Sequence, residues 1–338
     1  MFILADRALV RSILREPLFV ALGVWGGYLL AVTFICGPPE IFRAFDMLRH
    51  FVLILCFVVI AAYLTASRED FPTDFSKVAL SAAGLGAAAS VAMFVGGDDA
   101  RLFPVAMGRE LLDGTMMYGG AVALGMAFLY RSGRRNLWRI AAVIACLALV
   151  LVLLALAQAR GAVAALVVAA IVLALLGRGR VGAAIALAVT LTAIVISFTD
   201  LADFYGRLDS YRLMIWSEAM RIIGERPVFG YGITARLEFG TLPQGQRIYD
   251  PHSIFVANQI YGGLVGSLLL AALLAVFAWR ALSSFRASGD PTAVALMVFG
   301  LVNGMTHGYT LISGANQFWL VYFLPIGLVI GMQVRSGR

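Results

Sequence analysis

Long runs of apolar residues, separated by short polar breaks, occupy almost the whole of this 338-residue chain. The runs are continuous rather than alternating with period two, and most approach the ~20 residues an α-helix needs to cross a hydrocarbon core about 30 Å thick. They predict spans at approximately residues 17–36, 48–66, 78–96, 111–130, 137–157, 161–176, 181–198, 253–278, 291–311 and 318–334. Only helices and closed barrels satisfy every backbone polar group in lipid, and unbroken apolar runs exclude the barrel. The expected fold is all-α: a polytopic membrane bundle of about ten transmembrane helices. Glycine pairs such as Gly84/Gly86 and Gly119/Gly120 suit close helix approach in lipid.

One stretch breaks the pattern. Residues 199–252 lack a continuous apolar run and carry Arg207, Arg212, Arg221, Arg226, Arg236 and Arg247. They divide the chain into residues 1–198 with the first seven spans, the loop 199–252, and residues 253–338 with the last three. Within the loop, Asp209-Ser210 is a helix cap, and Leu213, Trp216, Met220 and Ile223 recur at helical spacing. This predicts an amphipathic helix to about Ile223 that lies on the membrane surface or caps the bundle. Gly224 is expected to end it, with a turn at Pro227, Gly230 and Gly232. Residues 234–250, with Pro243 and Gly245, read as an irregular, mobile flap.

Composition supports the membrane reading: 61% of residues are hydrophobic, only 13% are charged, and the mean hydropathy is +0.90. The net charge of +7 has a topological explanation, because cytoplasmic loops collect arginine, and nucleic acid is not an expected partner. With the N-terminus inside, the inner segments hold Arg7, Arg11, Arg15, Arg131, Arg134, Arg135, Arg139, Arg178 and Arg180, among others. The short outer segments hold Arg43, Arg49, Arg101, Arg109 and Arg160. That asymmetry places both termini in the cytoplasm and the long loop outside. Cys36, Cys56 and Cys146 lie in or beside apolar runs without metal spacing and read as small apolar filler. No cleavage or lipoprotein signal follows the first span, which is expected to remain as an anchor.

This orientation brings His50, His252 and His307 to the outer face, together with Arg49, Arg109, Glu110, Asp113 and Arg160. Charges beside membrane spans are costly and commonly line a polar pathway or cavity, although each alone also fits a snorkelling side chain. An arginine-lined site sheltered from water suits a phosphate or diphosphate, because the guanidinium fork matches its oxygens and keeps its charge. A histidine close by can take a proton from a hydroxyl near neutral pH. His307 either lines the acceptor side or is an interfacial histidine; Arg109-Glu110 with Asp113 is either a salt-bridged helix start or a donor-lipid contact.

Three stretches resemble the bacterial O-antigen ligase and polymerase superfamily. Gln158-Ala159-Arg160-Gly161-Ala162 is similar to the family's Ser-Arg-Gly element, with Ala159 in place of serine. Arg207 to Gly232 is similar around Arg212-Leu-Met-Ile-Trp216 and Pro227-Val-Phe-Gly230-Tyr-Gly232. Pro251-His252-Ser253 followed by Gly262-Gly263-Leu264-Val265-Gly266 resembles the family's His-Asn and glycine-rich helix, with Ser253 in place of asparagine. The resemblance covers approximately residues 110–280.

It implies a metal-independent, inverting glycosyl transfer, without a cofactor, at the periplasmic face of the bacterial inner membrane. The donor would be an undecaprenyl-diphosphate-linked glycan, and the acceptor hydroxyl would belong to a lipid A core sugar (ligase) or a growing polysaccharide (polymerase). His252 would be the base that activates the acceptor, with Arg212 and Arg160 gripping the diphosphate. Arg207, Arg109 and His307 are further substrate-binding candidates, whereas Arg221 and Arg226 read as structural. A transporter or flippase for lipid-linked oligosaccharides is the competing class, against which stands the lack of repeat symmetry that many transporters show.

Overall fold

The computed structural model describes residues 6–36, 41–96, 102–104, 111–132, 137–176, 211–241, 245 and 247–337, and among these the regular elements are helical apart from one isolated β-bridge. The helices are α1 (Arg7–Arg15), α2 (Pro17–Cys36), α3 (Ile41–Ser67), α4 (Phe71–Val95), α5 (Leu111–Ser132), α6 (Leu137–Leu156), α7 (Arg160–Leu176), α8 (Arg212–Glu225), α9 (Ile254–Ser288) and α10 (Thr292–Thr306). A π-helical turn, Trp319–Phe323, leads into α11 (Leu324–Ser336).

The all-α expectation holds. Five of the described helical segments are long and apolar enough to cross a membrane, and the apolar stretches Ala141–Leu156, Arg160–Leu176 and Thr292–Thr306 are shorter. The predicted seventh span, 181–198, lies outside the described residues. Helix α1 was not predicted: Asp6 caps it by accepting the Leu9 N–H, and Leu9 and Ile13, four residues apart, are buried.

Helix α10 lies near the centre, touching α5, α7, α9 and α11, while α2 packs along α9 and α3 along α11. The glycines singled out in the sequence are contact points. A Cβ on Gly119 would come within 2.4 Å of the Phe299 ring, and one on Gly84 within 2.9 Å of Cys146 Sγ. One end of the bundle is tied by polar contacts between helix ends: Arg131 pairs with Asp290, Arg280 Nε lies 3.3 Å from buried Glu16, and Arg335 reaches the Thr65 carbonyl. The residues of the candidate site lie at the opposite ends of these helices.

Helix α9 has 35 residues, roughly 50 Å if straight, well beyond the ~30 Å apolar core. It is broken at Gly263 (φ 63°, ψ −164°), a backbone region essentially restricted to glycine. The break leaves helical carbonyls and amides without partners, and the chain after α8 supplies them. Tyr231 and Gly232 donate their N–H groups to the carbonyls of Ile260 and Tyr261 at 3.0 and 2.9 Å. Leu264 and Val265 donate to the carbonyls of Pro227 and Val228 at 2.8 and 3.2 Å. The approach requires glycine on both sides, since a Cβ on Gly230 would sit 2.6 Å from the Gly263 nitrogen and one on Gly263 would sit 2.3 Å from Val228 backbone atoms.

Helix α2 backs this junction. Tyr28 Oη donates to the Gly262 carbonyl, Thr33 Oγ1 accepts the Ile233 N–H, and Trp25 Nε1 donates to Asn258 Oδ1 at 2.9 Å. Gly263→Ala and Gly230→Ala are each expected to lower the melting temperature of the purified protein in detergent, because positive-φ strain of about 1–3 kcal/mol adds to a backbone overlap. Gly224→Ala, in α8 with open space around its Cβ, should leave melting unchanged or raise it. Equal shifts in all three would contradict this account of the junction.

Candidate functional site

Helix α8 begins at Arg212, behind Tyr211 in a left-handed conformation (φ 54°). The predicted cap, Asp209-Ser210, lies outside the described residues. The helix is amphipathic, but its buried stripe is Ile215, Ala219 and Ile222, flanked by half-buried Trp216 and Ile223. Leu213 and Met220, expected on that face, are exposed. The stripe is rotated because α8 docks along α9, so the contact that buries it comes from a partner that periodicity does not specify. Gly224 lies inside the helix, which ends at Glu225.

Arg221 pairs with Glu218 and Glu225, and the Arg226 guanidinium lies 4.8 Å from the Tyr231 ring centre. Both arginines thus have the structural surroundings expected of them. The segment read as an irregular flap folds into a short hairpin. Phe239 donates to the Ile248 carbonyl and Ile248 to that of Gly240, both at 2.8 Å, and Thr241 bridges to Arg247. Fully buried Phe239 anchors it, and Gly240 packs on Met214 of α8. The alternation of Leu237 and Phe239, with Gly240 ahead of the turn and Ile248 after it, was the available signal. A cleft of about 540 Å³ separates α8 from this hairpin, but Arg212, His252 and His307 do not line it.

The hairpin returns the chain to Asp250-Pro251-His252. Asp250 Oδ1 accepts the His252 N–H at 2.7 Å, an Asx-type turn that holds His252 at φ 51°. Trp216 Nε1 donates to the Pro251 carbonyl at 3.1 Å, which fastens this turn to α8. Ser253 then caps α9 by accepting the Val256 N–H. The imidazole of His252 is partly buried, with Nδ1 at 3.5 Å from Asp250 Oδ2.

His307 ends α10 and is buried, with Nε2 at 3.1 Å from Asp113 Oδ1 on α5. Its neighbours Gly304 and Gly308 both press on Ile254, two residues beyond His252. The turn Gln158-Ala159-Arg160 starts α7, and a Cβ on Gly161 would lie 2.8 Å from Thr306 Oγ1. Arg160 is therefore exposed at the start of a helix packed on the last turn of α10. Four chain segments distant in sequence meet here and bring together Arg212, His252, His307 and Asp113, with the Arg160 turn beside them. Arg207 and Arg109 lie outside the described residues. His50 lies apart, near Asp46, Arg49 and Gly314.

Burial lowers the proton affinity of His252 below that of a free imidazole; Asp250 opposes the shift, while the charges of His307 and Arg212 add to it. Burial also lowers the pKa of Arg212, which remains a cation. The arrangement is a neutral imidazole within the field of a permanent cation. Motif reading singled out His252 and Arg212, placed Trp216 only on the apolar face of its helix and assigned no role to Asp250. The Asp-Pro-His spacing carried a local turn signal for Asp250; nothing local pointed to the contact that Trp216 makes.

These elements define a class: a helix bundle with several membrane-length apolar helices and a folded, arginine- and histidine-bearing loop at one end. Residues 145–271 match the model of the O-antigen ligase family, and over that segment the resemblance drawn from the motifs is borne out. A relative from Pseudomonas aeruginosa, named O-antigen ligase, is 28% identical over 130 residues. That alignment covers 38% of this chain and 31% of the relative, so the chain matches less than a third of that protein's length. Arg160, Arg212 and His252 fall inside the matched stretch, and Asp113 and His307 fall outside it.

The opposing effects on His252 can be separated. Asp250→Asn removes the one group that favours the imidazolium, so the His252 midpoint should fall further below the ordinary value of about 6.5. Imidazole NMR across a pH series measures this directly, since the chain has only three histidines. An upward shift would show that Asp250 does not act on the ring as the geometry indicates.

Proposed function

We propose that this protein is a multi-pass membrane glycosyltransferase. It moves a glycan from an undecaprenyl-diphosphate carrier to a hydroxyl acceptor at the periplasmic face, with both termini cytoplasmic. The observation that carries the proposal is the convergence of His252 and Arg212 beside the Arg160 turn, all three within the stretch that matches O-antigen ligases. The three-part organisation, residues 1–198, 199–252 and 253–338, belongs to this reading: two groups of helices hold the loop, and the loop meets the membrane at His252.

The reaction is a single, inverting displacement. The acceptor oxygen bonds to the anomeric carbon while the bond from that carbon to the diphosphate oxygen breaks, and its electron pair stays with the diphosphate. The acceptor proton passes to His252. Nδ1 stands 3.5 Å from Asp250 Oδ2, short of a hydrogen bond; closing that gap on substrate binding would fix the tautomer with the lone pair on Nε2. Arg212 and Arg160 offset the charge that grows on the leaving group, a contribution that is larger where water is excluded. Arg207 and Arg109 are further candidates for the lipid diphosphate. Ligase and polymerase share this chemistry and differ only in the acceptor.

The test is transfer by the purified protein from an undecaprenyl-diphosphate-linked glycan, with lipid A core and a second lipid-linked glycan offered side by side. One of the two should be extended. His252→Ala should reduce the rate about a hundredfold or more while donor binding persists, and Arg212→Lys should lose rate because an ammonium cannot replace the planar fork. Transfer that survives His252→Ala unchanged would refute the mechanism; donor translocation without product would favour a transporter. In the active protein, kcat/KM should fall as pH drops through the lowered midpoint of His252, placing the acid limb below pH ~6.5.

A further inference from the structure

His307 and Asp113 have no place in that scheme, yet the structure builds them into the same cluster. A snorkelling interfacial histidine would show its ring to water; His307 is only 5% exposed. Its Nε2 is taken by Asp113, and its Nδ1 is hidden from solvent without a hydrogen-bond partner among the described residues. One turn earlier on α10, Nδ2 of Asn303, itself 3% exposed, is likewise unpartnered. Each such group costs about 1–3 kcal/mol when left unpaired, so the end of α10 holds polar atoms in a state that a ligand would relieve.

The chemistry of that ligand follows from what faces the ring. A neutral ring that donates from Nε2 to Asp113 has only a lone pair at Nδ1; an anion brought to Nδ1 supplies the reason to take a second proton there, and an imidazolium has N–H donors at both nitrogens. With one donor committed to Asp113, the other requires an acceptor. The cations around the site are Arg212 at the start of α8 and Arg160 at the start of α7, whose neighbour Gly161 touches α10 one residue before His307. The carboxylates are Asp113 and, beside His252, Asp250. The cluster to which His307 belongs is thus suited to an anion.

We propose that His307, anchored on Asp113, is a donor-binding residue whose Nδ1–H takes an oxygen of the lipid-linked diphosphate, so that the two histidines divide the work: His307 holds the leaving group and His252 receives the acceptor proton. This assignment rests on the glycosyl-transfer reading for the identity of the ligand.

Farnesyl diphosphate is a suitable soluble probe, and its binding can be measured without any transfer. In the wild-type protein, saturation with the probe should raise the titration midpoint of His307 in imidazole NMR, with the Nε2 and Nδ1 positions both protonated. A midpoint that does not move would overturn the proposal, and this arm needs no variant to fold. His307→Ala should weaken probe binding about tenfold or more, the scale of a charge-assisted hydrogen bond, and His307→Gln, which keeps an N–H donor, should recover part of the loss. His252→Gln should leave probe binding unchanged. Unaltered probe affinity in both His307 variants, in a protein that still transfers glycan, would remove His307 from the donor site and leave the proposed function standing. Probe binding that depends on His307 in a protein that transfers nothing would do the reverse.

Discussion

The helical break at Gly263 is the constraint on which the loop and its site depend. A continuous α9 would satisfy its own backbone and offer the loop only side chains. Because the ladder is interrupted, carbonyls at Ile260 and Tyr261 and amides at Leu264 and Val265 are left to pair outside the helix, and residues 227–232 supply the complementary groups. In a bundle shielded from water, such groups have no alternative partner, and each would cost several kcal/mol if left unmade. The break therefore selects one partner segment and one register for it.

From that junction the positions of the site groups follow in sequence. With residues 227–232 fixed, α8 must precede them along α9, and Trp216 reaches the Pro251 carbonyl. The hairpin must follow them, and its return delivers Asp250 to hold the His252 backbone. Two constraints, one on each side of the junction, thus meet at a single residue with positive φ. The network Trp25–Asn258–Ser267–Gln259, which ends on the Pro227 carbonyl, ties the same junction to α2. A substitution far from His252, at Gly230 or Thr33, is therefore coupled to the geometry around His252 through the hydrogen bonds of the junction.

Much of this architecture was legible in the chain because membrane spans are long and chemically uniform. The spans from 17 to 36 and from 137 to 157 differ from α2 and α6 by at most a residue at each end, since lipid enforces what the apolar run announces. Where two explanations of a pattern competed, the sequence was less informative. On α8, residues 213, 216, 220 and 223 and residues 215, 219 and 222 both recur at helical spacing, and only the docking against α9 decides between them. His252 and Arg212 could be read from motifs; Asp113 and His307 could not be paired, because nearly two hundred residues separate them and each has an ordinary local explanation.

The placement of the charged groups runs against helix stability. Arg160 and Arg212 are the first residues of α7 and α8, where the helix dipole is positive and a carboxylate would be favoured by about 0.3–1 kcal/mol. His252 stands just before the start of α9, and Asp113 is the third residue of α5. Four helix N-termini are therefore gathered at one region; Asp113 at α5 and the Ser253 cap at α9 meet the ordinary preference, whereas the arginines that begin α7 and α8 add positive charge. Stability alone would put aspartate or glutamate at the starts of α7 and α8 as well. A bundle that accepts the opposite arrangement at α7 and α8 while meeting the ordinary preference at α1, where Asp6 caps the helix, concentrates positive potential at one end. An anion entering that end gains from the dipoles and the guanidinium groups together, and the glycosyl transfer proposed above would draw on the same potential to hold its diphosphate leaving group.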